Sequence, residues 1–518
     1  MPPLIVPESF ALVLAACAGC FTAPTYRVFC HLVAGWLQCA GRHTVTGAAL
    51  AAGAGVVGWR HISAFHRLFG RATWEPDALG KVVFTLALRV LPAGLPIILL
   101  VDDSLARKEG KAIALGSMHH DPLLSHGRKA FSRFGHVWVV LAIWLPLPFG
   151  VVGGPRGVAV PLLFRLFVGS RPGNRKDAPS RPTSGTRYQT ARTAFPAAPE
   201  QRPTKPALAR EMIALVAGWA AAVAPERTVY VVGDTAYVNQ TTVEGRPTNV
   251  EVLGPLRMDG ALWTLPPPRR PGQKGRPRTR GERLPTPAAQ AQGRQHWRAL
   301  PVTLYGRTVR PLVFRGTALW YSVLRTAPVR YVVVRDPSGR RKDAAFCCTD
   351  LTVSVAFLLE TYAARWTLEV TFFLLKGLLG FEEPQNQTAS AVRRTAPFAG
   401  LVFALIVLWY AAELQAGRAA TWPVRPWYRR KARPSFTDVL ATLRQQGLQQ
   451  HLAHVTHAAA PAWSCPVGLL TPPCQARRRT NAPCHSRGGC QPHSHLRRHT
   501  HRCASAQWRN SSLDASNE

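Results

Sequence analysis

The stretch that most restricts what this chain can become is residues 358–382, LLETYAARWTLEVTFFLLKGLLGFE. It has no proline and no glycine before Gly377, and Leu, Ala, Glu and Phe dominate it, a composition that favours helix. Four of its polar residues stand out: Tyr362, Arg365, Glu369 and Lys376. At about 100° per residue these four fall within roughly 60° of one another. A phenol, a guanidinium, a carboxylate and an ammonium therefore share one narrow stripe, flanked by Trp366 and Phe373. The plain alternative is a solvated face with a weak pair between Arg365 and Glu369, four residues apart. The rest of the helix is too apolar for that. A carboxylate in such surroundings needs a partner or a metal, and two cations beside it suit a polyanionic ligand.

The overall charge points the same way. Lys+Arg number 64 against 27 Asp+Glu, for a formal charge of +37 over 518 residues. A GC-rich genome favours Arg codons, but so large a positive field makes nucleic acid the natural partner. Acids are scarce, so each one in an apolar setting is informative. The 11 Cys show no regular framework, which fits a reducing cytoplasm. The apolar N-terminal run from Phe10 lacks a basic leader, so no signal peptide is expected. The run 397–410, PFAGLVFALIVLWY, is shorter than a membrane span of about 20 residues and is expected to be a buried core helix.

Two further acids end apolar runs. Residues 94–104, GLPIILLVDDS, have the pattern of a buried central strand opening into a site. Adjacent Asp102 and Asp103 point to opposite faces of such a strand, so one of them reaches the site easily. Arg107, Lys108, Gly110 and Lys111 then form a loop suited to phosphate. Residues 136–148 and 157–168 are two more apolar runs, giving three sequential strands of one sheet. Residues 169–208 read as an exposed loop, and 209–224 as a helix. The run RTVYVVGDTAYV then forms a strand ending at Asp234. For each of these acids the plain alternative is a turn aspartate.

The remaining segments are less chemically explicit. Residues 1–90 read as helical, with His61, His66, Arg67, Arg71 and Trp74 near their end and no clear helix-turn-helix pattern. Residues 240–345 hold β-like runs and the segment Pro266–Arg283, where Arg269, Arg270, Lys274, Arg276, Arg278 and Arg280 lie among Pro and Gly. This is expected to be a flexible phosphate-binding strap rather than a base-reading element. Residues 346–418 carry a strand end at Cys347–Asp350, the glutamate helix and a further apolar helix. The Cys/His-rich tail beyond about Pro472 has no Cys-x2-Cys pair, so a disordered basic tail or out-of-frame sequence is expected rather than a zinc site.

The spacing Tyr362-x2-Arg365-x3-Glu369-x6-Lys376, with Trp366 directly after the arginine, resembles the Tyr-Arg-Glu-Lys signature of bacterial insertion-sequence transposases of the DDE class. These are cut-and-paste enzymes with a ribonuclease-H-like core. The resemblance covers about residues 60–415 and is strongest at 358–382 and 227–237. It implies an α/β fold: a mixed sheet with flanking helices, its core split between 91–239 and 346–418. A β-rich insertion at 240–345, a helical N-terminal domain at 1–90 that helps bind the transposon end, and a C-terminal extension at 419–518 complete it. It also implies three metal-binding carboxylates: Glu369 last, Asp234 second, and Asp103 first, because the family's first aspartate precedes a hydroxyl residue, here Ser104. Asp102 is the alternative. Two Mg²⁺ ions, replaceable by Mn²⁺, would activate water and stabilise the leaving oxygen. The freed 3′-hydroxyl would then attack target DNA. Arg365 and Lys376 would hold phosphates, and Tyr362 would bond a phosphate or stack on a displaced base. The implied partners are double-stranded DNA, at transposon ends and target, and a second copy of the chain. The setting is the bacterial cytoplasm, without a membrane. Two neighbouring readings stand beside this one: a degenerate copy that binds DNA without cutting, and a metal-dependent nuclease on the same fold.

Overall fold

The structure is a computed structural model that describes residues 6–54, 61–110, 112–121, 125, 131–147, 157–169, 202–269, 271–272, 274–418, 427, 431 and 433–458. The tail from 459 onward, most of the expected loop 169–208, Lys111 and Arg270 lie outside the described residues.

Five helices come first: α1 (Glu8–Ala15), α2 (Ala23–Gln38), α3 (Val45–Ala51), α4 (Ser63–Gly70) and α5 (Pro76–Val90). Then come β1 (Ile97–Arg107), β2 (Ser117–His120), β3 (Ser132–Leu145) and β4 (Val158–Phe167), followed by α6 (Lys205–Val223) and β5 (Val229–Val232). Next are α7 (Gln240–Val243), β6 (Val250–Leu256), α8 (Pro287–Gln292), β7 (Arg298–Ala299), β8 (Val302–Leu304), β9 (Arg307–Val309), β10 (Leu312–Leu319), α9 (Tyr321–Leu324), β11 (Pro328–Arg335) and β12 (Ala344–Cys348). The chain closes with α10 (Val355–Ala364), α11 (Trp366–Leu378), α12 (Ala389–Gln415) and α13 (Phe436–Ala458).

The main sheet runs β2-β3-β1-β5-β6-β12-β11-β10-β7, with β4 also on β3. Antiparallel pairing joins β1, β3 and β4, whereas β1, β5 and β6 are parallel. β1 thus sits where the antiparallel and parallel parts meet. Its Ile97–Val101 segment is buried throughout, which is why it reads as an unbroken apolar run and not an alternating one. β12, β11, β10 and β7 extend the sheet antiparallel beyond β6. Strand β6, which the sequence reading places in the insertion, is part of this parallel core. The short β2 had no counterpart among the expected strands.

The core is centred on α12. It is longer than the expected 397–410 helix and carries Pro397 inside it. Every residue from Thr395 to Ala411 is buried, the pattern of a helix enclosed on all sides. It packs against α1, α4, α5, α11, α13 and β4, so the N-terminal helices share one hydrophobic core with the sheet. By length and composition alone α6 and α12 could cross a membrane, but 83% of the qualifying window in α12 is buried inside this fold. Gly80 of α5 meets β4 so closely that a Cβ there would lie 2.4 Å from the Leu162 carbonyl oxygen. Arg165 of β4 then pins both flanking helices, donating to Asp77 of α5 at 2.8 and 2.7 Å and to Glu211 of α6 at 3.0 Å. Trp36 of α2 donates to the Leu379 carbonyl at 3.0 Å, tying the N-terminal helices to the end of α11.

One buried histidine gives the fold a pH dependence. His136 of β3 is 3% exposed and its Nε2 donates to the Ala114 carbonyl at 2.8 Å. Burial pushes its pKa down to about 4, so it is neutral in the folded state. An unfolded histidine titrates near 6.5, so this group's contribution is present above about pH 6.5 and is lost as pH falls toward 4. His136→Gln is expected to flatten the acid limb of the stability curve over that window. Parallel acid limbs for the two proteins in chemical denaturation would contradict this.

Candidate active site

The site starts from the pairing of β1 with β5. Leu100 stands opposite Val232 in parallel register. Asp102 comes two residues beyond Leu100 on β1, and Asp234 two residues beyond Val232, just past the end of β5, close enough for its carboxylate to act on Asp102 and Arg365. Asp103, next to Asp102, leaves the opposite face of β1. Of the two candidates for the first carboxylate, Asp102 is the one bonded to the helix pair, through Arg365, while Asp103 is bonded to Tyr237 and Lys205.

The predicted single helix over 358–382 is two segments, α10 and α11, meeting at Arg365. Arg365 keeps helical angles (φ −53°, ψ −35°). The hydrogen bonds around it shorten to a three-residue step, from Arg365 N to Tyr362 O at 3.1 Å and from Leu368 N to Arg365 O at 3.0 Å. Such tight turns inside a helix often mark functional positions. From this joint the guanidinium reaches across to β1. Nη1 donates to Asp102 Oδ2 at 2.6 Å and Nη2 to Glu369 Oε1 at 2.8 Å. The three side chains are only 12%, 16% and 22% exposed, in the order Arg365, Asp102, Glu369.

Burial dominates the electrostatics of the site. Burial, and then the neighbouring carboxylates of Asp234, Asp103 and Glu369, push Asp102 up to about 7 against the pull of Arg365. Burial opposes the charge on Arg365, but Asp102, Tyr362, Glu369 and Asp234 outweigh it and raise its pKa. The Tyr362 ring lies 5.9 Å from that guanidinium. Lys376 is held along β1 as well, donating to the Leu105 carbonyl at 2.8 Å and lying 3.3 Å from Glu382 Oε1. Arg365 and Lys376 thus reach β1 from the helix pair, Glu369 is joined to Arg365, and the Tyr362 ring packs on Phe346 of β12 at 4.6 Å.

On the other face, Asp103 Oδ1 accepts from Tyr237 Oη at 2.7 Å and Oδ2 from Lys205 Nζ at 2.7 Å. Tyr237 belongs to the Thr-Ala-Tyr run that follows Asp234, whereas Lys205 did not stand out in the sequence. Lys205 falls in the stretch read as loop, although Thr204, Lys205 and Pro206 carry a helix-start signal: the Thr204 hydroxyl caps α6 and Pro206 sits in its first turn. Lys108, expected in a phosphate-meeting loop, is instead buried. Its Nζ donates to the Glu382 and Pro384 carbonyls at 2.8 and 2.9 Å, and burial lowers it to about 8 against the pull of Glu382.

Another unexpected residue comes from the insertion. The β8–β9 hairpin turns at Tyr305 and Gly306, both with positive φ (51° and 79°). Glycine takes that conformation freely; tyrosine there is strained and held by its surroundings. Burial and the nearby Tyr362 raise the Tyr305 hydroxyl to about 12, with Arg365, Arg341 and Glu369 also in range. The hairpin tip therefore sits beside the stripe. A two-residue Tyr-Gly turn between short alternating runs is the signal that marks it in the sequence.

The basic strap is less free than expected. Trp263 bridges to Arg283, and Thr264 exchanges bonds with Gly281 and Glu282. Arg280 stacks 3.9 Å over Trp263 and 4.8 Å over Tyr321 of α9, which packs on α7 just after Asp234. Arg269, Lys274, Arg276, Arg278 and Arg280 are all exposed. Arg270 lies outside the described residues.

The donor set suits a hard divalent cation. Asp102, Asp234 and Glu369 offer carboxylate oxygens, and burial together with the neighbouring acids holds the Asp102 pKa up despite Arg365. Among the described residues no three His, Cys, Asp or Glu side chains are already closed around a metal position. Arg365 stands between two of these acids and engages one oxygen of each.

A large mixed sheet with flanking helices, acids at its central strands and a carboxylate on a facing helix are consistent with the ribonuclease-H-like fold of DDE enzymes. The chain matches the DDE superfamily endonuclease family over residues 17–311, more than half its length, and belongs to that family. No curated protein matches the chain. Family membership implies nuclease-type chemistry on DNA and, in general, divalent metal ions. The matched stretch includes both strand-borne acids and ends before α10.

Removing Arg365 should leave two partly buried acids unpaired, which costs about 3–5 kcal/mol. Arg365→Ala is therefore expected to lower the unfolding midpoint of the metal-free protein sharply. Arg365→Lys should recover only part of it, because one ammonium cannot span both acids as the guanidinium fork does. An unchanged midpoint for Arg365→Ala would show that the bridge holds nothing.

Proposed function

We propose that this chain is an insertion-sequence transposase that cuts DNA at the ends of its own element and joins the freed 3′ ends to target DNA. In this reading Asp102, Asp234 and Glu369 are its metal-binding carboxylates. The observation that carries the reading is the bridge from Arg365 to Asp102 and Glu369, which brings the expected signature helix onto the acid-bearing strand. Asp102 takes the role first given to Asp103 because Asp102, and not Asp103, is joined to Glu369 through Arg365. Mg²⁺, two ions per site and replaceable by Mn²⁺, would supply an activated water and a stabilised leaving oxygen at the phosphodiester.

The chain's own residues do the rest. Asp102 and Glu369 give up the guanidinium, which is then free to bind a phosphate bidentately. Lys376 adds a point charge beside β1. Tyr362 offers a hydroxyl or a ring to the displaced strand. The exposed strap residues Arg269, Lys274, Arg276, Arg278 and Arg280 suit the DNA backbone, as do His61, Arg67 and Arg71 at α4, which are also exposed. A homodimer on paired ends in the bacterial cytoplasm belongs to the same reading. The word endonuclease in the family description favours a second reading, a nuclease that cuts without joining. Hairpin formation at defined ends separates the two.

The test is Mg²⁺-dependent cleavage of a duplex carrying the element's flanking ends. The wild type should cut and form hairpins, and Glu369→Gln should bind the same duplex but leave it intact. Equal cutting by both would remove Glu369 from the site. In the same assay series Arg278→Ala should weaken binding evenly across sequences and lower the slope of log K against log salt by about 1. An unchanged slope would take that side chain off the phosphates.

A further inference from the structure

We infer that Asp103 is a positioning residue: acting through Tyr237, it fixes the turn that carries Asp234. The inference rests on reading Asp102, Asp234 and Glu369 as the metal-binding carboxylates.

The turn after β5 is built on Asp234. Its carbonyl accepts from Tyr237 N at 3.1 Å and Val238 N at 2.9 Å, and its own Oδ1 accepts from Ala236 N at 2.8 Å. Where Tyr237 sits therefore decides where Asp234 points. Tyr237 is 1% exposed, and its hydroxyl ends on Asp103 Oδ1 at 2.7 Å. The turn folds back so tightly that a Cβ on Gly233 would lie 2.7 Å from Tyr237 Cβ and 3.1 Å from Val101 Cγ1. Glycine at 233 leaves room for Tyr237 to approach this closely, and the bond to Asp103 fixes the far end of its side chain.

Asp103 also has its charge matched. Lys205, in the first turn of α6, donates to Oδ2 at 2.7 Å and lies 5.6 Å from the Phe167 ring centre. Both oxygens of Asp103 are thus engaged by donors from two different elements, on the face turned away from Glu369. Asp102 differs: it shares its one cation with Glu369, and both acids are released when that guanidinium moves. The neighbouring aspartates are equal in sequence but have separate tasks, one facing the reaction and the other holding the second acid in place. Outer residues that orient metal ligands typically matter by 10–100-fold in metal affinity.

The test uses the full-length protein without DNA and reads Mn²⁺ binding by electron paramagnetic resonance, with melting temperature as the check on folding. Tyr237→Phe should fold and lose about 10–100-fold in Mn²⁺ affinity. Asp103→Asn keeps an oxygen that accepts from the phenol, so it should stay far closer to the wild type than Asp103→Ala does. Asp103→Ala should match Tyr237→Phe, and combining the two should add little, as expected for one contact removed twice. Asp102→Asn serves as the control and should lose the most. Loss in Asp103→Asn as deep as in Asp102→Asn would make Asp103 a ligand and overturn the inference. Wild-type affinity in Tyr237→Phe would overturn it too, leaving the contact merely structural. Unchanged binding in Asp102→Asn would instead remove the underlying three-acid reading.

Discussion

A single guanidinium held between two carboxylates joins the two halves of this molecule's site. Arg365 comes from the joint between two helices, Asp102 from the central strand and Glu369 from the next turn of the helix. Without a cation between them, two acids this sheltered would repel each other and resist ionisation. With it, α11 is drawn onto β1 at a defined height. In a chain with 27 acids and a charge of +37, the gathering of Asp102, Asp103, Asp234 and Glu369 at one place runs against the overall balance. Arg365 on one face of β1 and Lys205 on the other offset that concentration.

The rest of the fold keeps that interaction in register. β1 lies between an antiparallel and a parallel neighbour, so its position is fixed from both sides. α12 fills the core behind α11 and binds the N-terminal helices into the same hydrophobic cluster. Arg165 and the close approach at Gly80 lock α5 and α6 onto β4. The inserted strands add a hairpin whose tip, Tyr305, lies beside the stripe. The site is thus assembled from widely separated stretches of sequence, which only the sheet brings together.

Part of this was legible in the residues themselves. β1, β3, β4 and β5 fall on the apolar runs at 94–104, 136–148, 157–168 and 227–238, because strands buried on both faces need unbroken apolar sequence. The stripe of Tyr362, Arg365, Glu369 and Lys376 follows from helical spacing alone. The choice between Asp102 and Asp103 does not. It depends on which of the two Arg365 reaches, a contact between residues 263 apart in the chain that no local pattern encodes. Lys205 was hidden for a different reason: it stands next to a Pro- and Arg-rich stretch whose composition masks the cap at Thr204. β6 was missed because it is short, interrupted by Gly254 and Pro255, and followed by polar loops.

The account turns on which aspartate of the adjacent pair meets the metal. The most direct measurement is anomalous diffraction from Mn²⁺ in crystals of the protein bound to its end DNA. The expected result is manganese signal bound by Asp102, Asp234 and Glu369, with Arg365 moved off the carboxylates and Asp103 still bonded to Tyr237 and Lys205. Manganese on Asp103, with Asp102 still paired to Arg365, would contradict it.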